Sequence, residues 1–208
     1  MTTNDNKVLY EDDWIRIIDK PSGVLSESLG RVAHRLDKET SGVILIAKTD
    51  ESLEALKKQF EERRVKKTYV ALAHGVMKQE AGIVSEPIMR NPKIGNRFVV
   101  GKEGRSAITE WRVIRKCSMF NVQCSMLEVR PMTGRTHQIR VHLKYLGHQI
   151  VSDFLYGGKL YEDDIKWCPR LFLHAKSIEF THPGTGVRVS FEAKLTDELE
   201  GVLGKLVH

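Results

Sequence analysis

The densest run of chemistry-bearing side chains is His34-Arg35-Leu36-Asp37-Lys38-Glu39-Thr40-Ser41-Gly42. One carboxylate, Asp37, lies between the cations Arg35 and Lys38, and the small residues Ser41 and Gly42 follow. Two readings stand at this point: a solvated loop with a local ion pair, or a loop that carries chemistry because a rigid element holds it. Metal chemistry finds no framework in the spacing. None of the eight histidines forms His-x-x-x-His, and His137 and His142, five apart, fall on different faces of a helix. No Cys/His spacing matches a zinc site. There is no Gly-x-x-x-x-Gly-Lys-Ser/Thr phosphate loop and no Gly-x-Ser-x-Gly elbow. What remains is a carboxylate with arginines and a tyrosine.

The elements that must position these residues follow from periodicity. Val43-Ile44-Leu45-Ile46-Ala47 is β-branched and aliphatic, bounded by turn residues, and predicts a buried strand that feeds from the Asp37 loop. Strands are expected over 7–10 and 14–19, then a Lys20-Pro21-Ser22-Gly23 turn and a connector over 24–33. Asp50 is the expected cap of a helix over 51–63 with the stripe Leu53, Leu56, Phe60. A strand over 68–73, short strands within 81–104, and a hairpin of 106–115 with 121–129 turning near 116–120 follow. Thr133 or Thr136 can cap a helix ending at Gly147 with the stripe Ile139, Leu143, Leu146. Arg140 lies at the edge of that stripe, where it can snorkel along the core and place its guanidinium in a cleft. Strands over 171–180 and 187–193 and a helix Asp197–Leu203 capped by Thr196 complete the chain. Strands outnumber helices and come in hairpin-like pairs, which predicts an α+β fold with a mixed, mainly antiparallel sheet and flanking helices.

The 208 residues fit one domain spanning 1–208, with the polar stretch 1–6 a flexible tail. At 41% apolar and 29% charged residues the chain has ordinary globular usage, and its polar start is not a signal peptide. No apolar run approaches the roughly 20 residues that span a bilayer. Three cysteines without a C-x-x-C pair favour a reducing compartment, and the cytoplasm is expected. Net charge is +6, and cations gather at Arg63, Arg64, Lys66 and Lys67, at Lys93, Arg97, Lys102 and Arg105, and at Arg130, Arg135, Arg140 and Lys144. Any one cluster reads as a solvated face, but three together favour a polyanionic partner.

The motifs also carry a resemblance. His34-Arg35-Leu36-Asp37-Lys38-Glu39-Thr40-Ser41-Gly42 resembles the catalytic motif of RluA-type pseudouridine synthases. Lys67-Thr68-Tyr69-Val70-Ala71 resembles their second motif, and Thr133-Gly134-Arg135-Thr136-His137-Gln138-Ile139-Arg140-Val141-His142 their third. Lys20-Pro21-Ser22-Gly23, Gly147-His148-Gln149-Ile150-Val151-Ser152-Asp153, Tyr156-Gly157 and Leu171-Phe172-Leu173-His174-Ala175 are similar to further family segments, in the family's order. The resemblance implies a catalytic domain with its cleft across the sheet, isomerising uridine in RNA without cofactor, metal or ATP. It implies that Asp37 is the catalytic residue, acting as nucleophile at C1′ or C6 or as base at C2′. It further implies that Arg140 pairs with Asp37, that Tyr69 stacks on the target base, and that Arg35 fills the space the flipped uridine leaves.

Each role has a plainer counterpart. Tyr69 alternates with apolar residues and could be core, Arg35 could contact phosphate only, and Leu173 either packs under the base or is core. His137, His142 and His174 are expected to hold loops. Lys66, Lys67, Arg135 and Lys144 are expected at RNA phosphates. The family's longer segment before the catalytic motif is represented by ten residues, 24–33, and no S4-like RNA-binding domain fits before residue 8. Recognition is then expected to rest on the domain itself, a monomer acting on an rRNA or tRNA stem-loop. Two other classes compete. A non-catalytic RNA-binding module would need the cations but not a carboxylate aimed at RNA. A nucleic-acid hydrolase would need a second carboxylate or a metal set, which the motifs do not supply.

Overall fold

The computed structural model describes residues 7–119 and 122–206. The stretch 1–6, expected to be a tail, lies outside the described residues. In chain order the elements are β1 (Lys7–Glu11), β2 (Ile15–Lys20), β3 (Arg31–Val32), β4 (Ser41–Ala47), α1 (Asp50–Glu61), β5 (Lys66–His74), β6 (Ala81–Val84), β7 (Ile88–Arg90), β8 (Phe98–Val100), β9 (Thr109–Met119), β10 (Val122–Pro131), α2 (Gln138–Tyr145), α3 (Tyr161–Asp164), β11 (Leu173–Thr181), β12 (Arg188–Glu192) and α4 (Asp197–Leu203). The chain divides into two compact units, one of residues 1–68 and 174–195, the other of 69–173 and 196–208.

In the first unit the strand order is β1-β2-β4-β11, with β12 on β11 and β3 on β4. All these pairs are antiparallel except β4 with β11, which is parallel. The apolar run predicted over 43–47 is buried throughout β4. Val43, Leu45 and Ala47 join Ile15, Ile17, Ile178 and Phe180 in a core that Leu56 of α1 enters, with Leu53 and Phe60 packed at its margin. The alternation explains the core, because every second residue of a strand shares a face. The connector 24–33 holds a 3₁₀ turn, Ser26–Leu29, and the two-residue β3. The cap of α1 is Thr49 rather than Asp50: Thr49 Oγ1 accepts the Ser52 amide at 3.1 Å and Ser52 Oγ accepts the Thr49 amide at 3.2 Å. Both orphan amides are satisfied by this reciprocal box, which leaves Asp50 free to sit in the first turn where a negative charge suits the dipole.

In the second unit the order is β5-β10-β9-β6, all antiparallel, and β7 pairs with β8 in a separate ribbon. β9 continues through the expected turn at 116–119, so the hairpin is longer than its sequence suggests. Neither Thr133 nor Thr136 caps α2. Its N-cap is His137 in the left-handed region, φ 55°. Thr133 Oγ1 is used elsewhere, donating to Gln138 Oε1 at 2.7 Å and accepting the Ile108 amide at 3.0 Å. Thr196 precedes α4 as expected, but its hydroxyl accepts from Arg170 Nη2 at 2.6 Å instead of capping. The α+β class with mainly antiparallel pairing therefore holds, and no described helix is long and apolar enough to cross a membrane.

Candidate active site

The Asp37 loop is held by side chains that reach its backbone. Lys20, fully buried at the end of β2, donates from Nζ to the carbonyls of Pro21 at 2.9 Å, Val24 at 2.8 Å and Lys38 at 3.2 Å. Ser22 Oγ donates to Glu39 O at 2.8 Å. Ser26 Oγ both donates to Leu36 O and accepts the Leu36 amide, at 2.8 and 2.9 Å. The Thr40 amide closes the turn on Asp37 O at 3.0 Å. Backbone groups on both sides of Asp37 are thus tied while its side chain stays half-buried. An anchored loop with an accessible carboxylate is what positioned chemistry requires.

The residues after Asp37 explain themselves in packing terms. Ser41 Oγ meets His174 Nδ1 at 2.9 Å, and His174 Nε2 meets Ala193 O at 3.3 Å. Gly42 has φ +112° and pairs with Ala175, whose backbone a Cβ would strike. Only glycine fits that close parallel approach.

Before Asp37, His34 stacks on Phe60 at 4.9 Å and accepts the Leu45 amide on Nε2 at 3.2 Å. Burial, reinforced by the Lys67 ammonium, holds the His34 pKa down at about 3. Burial also lowers Lys67 to about 8, and its Nζ lies 5.8 Å from the Phe60 ring. Arg35 is exposed and pairs with Glu27 at 2.9 Å. A surface pair of this kind is worth about 0.2–1 kcal/mol and yields easily to another partner. Lys66 is exposed and pairs with Glu179 at 3.5 Å.

His34 carries a pH prediction. Its folded pKa lies below the unfolded value near 6.5, so as pH falls the unfolded chain takes up the proton first. Stability should fall between pH 6.5 and pH 3, by up to about 1.4 kcal/mol per pH unit from this group. Urea unfolding at pH 7, 5.5 and 4.5 should show a shallower acid loss in His34→Gln than in the native chain. Parallel losses would remove His34 as the cause.

In the second unit Arg140 is 1% exposed rather than snorkelling. Its Nε donates to Asp153 Oδ2 at 2.8 Å and its Nη2 to Asp153 Oδ1 at 2.7 Å, a two-pronged ion pair. Asp153 is fully buried, and its Oδ1 also accepts the amides of Leu155 and Tyr156, both at 3.0 Å. The Tyr156 ring lies 5.3 Å from the Arg140 guanidinium and 5.8 Å from Lys144 Nζ. Its hydroxyl accepts the Phe98 amide at 3.0 Å and meets His137 Nδ1 at 2.9 Å. His142 bridges Thr109 Oγ1 at 2.8 Å and Glu86 O at 3.0 Å. The three histidines expected to hold loops do hold them. Gln138 is locked by Thr133, Arg135, Ile108 and Thr109.

Tyr69 is buried in β5 at 8% exposure, opposite Val129, and Leu173 is buried at 2%. Arg135 Nε donates to Ser106 O at 3.0 Å, and Lys144 is exposed. Arg35, Asp37, Lys66 and Lys67 thus belong to the first unit, and Tyr69, Arg135, Arg140, Lys144 and Leu173 to the second. Sequence reasoning assigned no role to Lys20, Ser26, Asp153 or Tyr156. Asp153 did leave a signal: an acid inside the apolar run Ile150-Val151-Ser152-Asp153-Phe154-Leu155 needs a buried cation.

Among the described residues no cluster of His, Cys, Asp or Glu is arranged to hold a metal ion. The first unit offers an anchored, half-buried carboxylate, and the second a buried guanidinium held by Asp153.

Comparison with known proteins fits this chemistry. The family model described as RNA pseudouridylate synthase matches residues 27–145, which hold Arg35, Asp37, Tyr69 and Arg140. The ribosomal large subunit pseudouridine synthase C of Escherichia coli O157:H7 is 37% identical, over 96% of this chain and 69% of that protein. The protein of the same name from Buchnera aphidicola is 36% identical, over 97% and 71%. Among solved structures, human RNA pseudouridylate synthase domain containing 1 superposes with a TM-score of 0.81 at 25% identity, covering 95% of this chain and 87% of that one. With a family model spanning the carboxylate loop and the arginine helix alike, and relatives aligned over nearly the whole of this chain, the chain belongs to the RNA pseudouridylate synthases, isomerases that act on uridine in RNA.

Proposed function

We propose that this chain isomerises uridine in large-subunit ribosomal RNA and that Asp37 carries the chemistry. The observation behind the assignment of Asp37 is the clamp of Lys20, Ser22 and Ser26, which fixes the loop backbone and leaves the carboxylate half-buried. The reaction conserves atoms. The C1′–N1 bond breaks, the base turns, C1′–C5 forms, the C5 proton leaves to solvent, and N1, which carried no proton in uridine, takes one up. Such a reaction needs a carboxylate at the sugar or base but no redox partner. In this reading the Arg140 guanidinium, held in place by Asp153, supplies a preorganised positive charge to the reaction. Tyr69 is the stacking surface for the target base, Leu173 lies beneath it, and Arg35 fills the gap in the RNA.

Binding draws on cations. Residues 88–105, the ribbon of β7 and β8 and the stretch after it, carry Arg90, Lys93, Arg97, Lys102 and Arg105 against the single acid Glu103. Arg90, Lys93, Lys102 and Arg105 are exposed. Together with Lys66, Lys67, Arg135 and Lys144 they give a salt-dependent grip on phosphates without sequence choice. The substrate names of the E. coli and Buchnera relatives favour ribosomal over transfer RNA. The protein works as a monomer in the cytoplasm.

Nucleotide-resolution mapping of pseudouridine in cells lacking the coding sequence tests the target. Loss at defined uridines of large-subunit ribosomal RNA, restored by complementation, is expected. Loss confined to transfer RNA would move the target, and no loss in any RNA would contradict the reading.

A further inference from the structure

Phe154 is the most exposed large apolar side chain among the described residues, at 67%. A single exposed apolar residue is ordinary on a mobile loop. Phe154 is mounted on a rigid one. Before it, Ser152 takes a left-handed backbone, φ 57°, and is tied down twice. Its amide donates to Asp164 Oδ2 at 3.0 Å and its hydroxyl to Cys168 O at 2.5 Å. Around it, Asp153 caps the amides of Leu155 and Tyr156 and accepts the Gly157 amide on its carbonyl at 2.7 Å. The turn that grips Arg140 on its inner side therefore holds Phe154 out into water on its outer side. A left-handed non-glycine residue persists only where surrounding bonds over-determine it, and such positions gather at ligand sites.

The ring meets Tyr161 edge to face at 5.4 Å and 72°. That contact covers at most one face of the ring. The surroundings indicate what the open face takes. Glu162 and Asp163 are exposed beside Tyr161, and Asp163 is paired with Lys166 at 2.5 Å. Two acids repel a phosphate but tolerate a neutral planar group. Lys144 and Lys159 are both exposed, and Lys144 Nζ lies 5.8 Å from the ring of Tyr156, two residues from Phe154.

We propose that Phe154 is a stacking platform for an unpaired nucleobase of the RNA substrate, a nucleotide flanking the uridine that Arg140 serves. The inference rests on the reading of this chain as acting on RNA. A preorganised aromatic loses little entropy on stacking, and base–aromatic stacking is sequence-tolerant.

The test uses the full chain and ribosomal RNA from cells lacking it, labelled with tritium at C5 of uridine. Kd by filter binding and KM and kcat of tritium release are compared for the native chain, Phe154→Ala, Phe154→Leu and Phe154→Trp. Phe154→Ala and Phe154→Leu should weaken Kd and raise KM by about 5- to 150-fold with kcat within about twofold, while Phe154→Trp stays near native. Unchanged thermal unfolding in each variant excludes a folding cause. Native Kd in Phe154→Ala overturns the platform. Recovery by leucine as full as by tryptophan overturns stacking in favour of plain packing. Absence of tritium release from the native chain sinks the isomerase reading alone, because the filter-binding arm still decides Phe154.

Discussion

Asp37→Ala should yield a folded protein that binds RNA with near-native affinity and isomerises nothing. The backbone of residues 36, 38 and 39 is held by Ser26, Lys20 and Ser22. Truncating the Asp37 side chain leaves those anchors in place, so the fold should survive. Turnover should fall by about four orders of magnitude or more, the scale seen when a nucleophile or a positioned base is removed. The measurement is single-turnover pseudouridine formation beside a urea unfolding curve. An unfolded variant would show that Asp37 serves the loop. A folded variant with tenfold or smaller loss would show that another group carries the chemistry.

The second large effect belongs to Arg140. Arg140→Met should reduce turnover by about two to three orders of magnitude, the cost of removing one preorganised electrostatic partner. It should also destabilise the protein by about 3–5 kcal/mol, because Asp153 is left as a buried, uncompensated charge. These two losses have separate cures. Adding Asp153→Asn removes the orphan charge while keeping an oxygen for the Leu155 and Tyr156 amides, which in the native chain bind Oδ1. Stability should then recover largely, and activity should not. If both return together, Arg140 is a member of a structural ion pair and has no part at the substrate. RNA affinity should change little in either variant, since a guanidinium 1% exposed is no surface phosphate contact.

How much of this was legible in the sequence differs by residue. β4 was legible because its β-branched run is buried on both faces, and such runs read as strands whatever packs on them. Helix α1 was legible, but its cap was not, since Thr49 and Asp50 are adjacent short polar residues and only the reciprocal bond with Ser52 decides between them. The start of α2 was misplaced because Thr133 spends its hydroxyl on Gln138 and Ile108, partners far apart in sequence, and because a left-handed His137 has no propensity signature. The position of Arg140 at the edge of an apolar stripe was visible. Its full burial was not, because that depends on Asp153, thirteen residues later and outside any helical period. The roles of Asp37, Tyr69 and Arg35 came from family resemblance. Chemistry resides in tertiary placement, and spacing along the chain shows only which residues are available for it.

The most direct measurement pairs two readouts on one sample: tritium released from C5-labelled ribosomal RNA, and pseudouridine counted after complete nuclease digestion. Isomerisation at Asp37 predicts one tritium released for each pseudouridine formed by the native chain, and neither from Asp37→Ala. Tritium release without pseudouridine, base loss leaving abasic sites, or pseudouridine formation that survives Asp37→Ala would contradict the account.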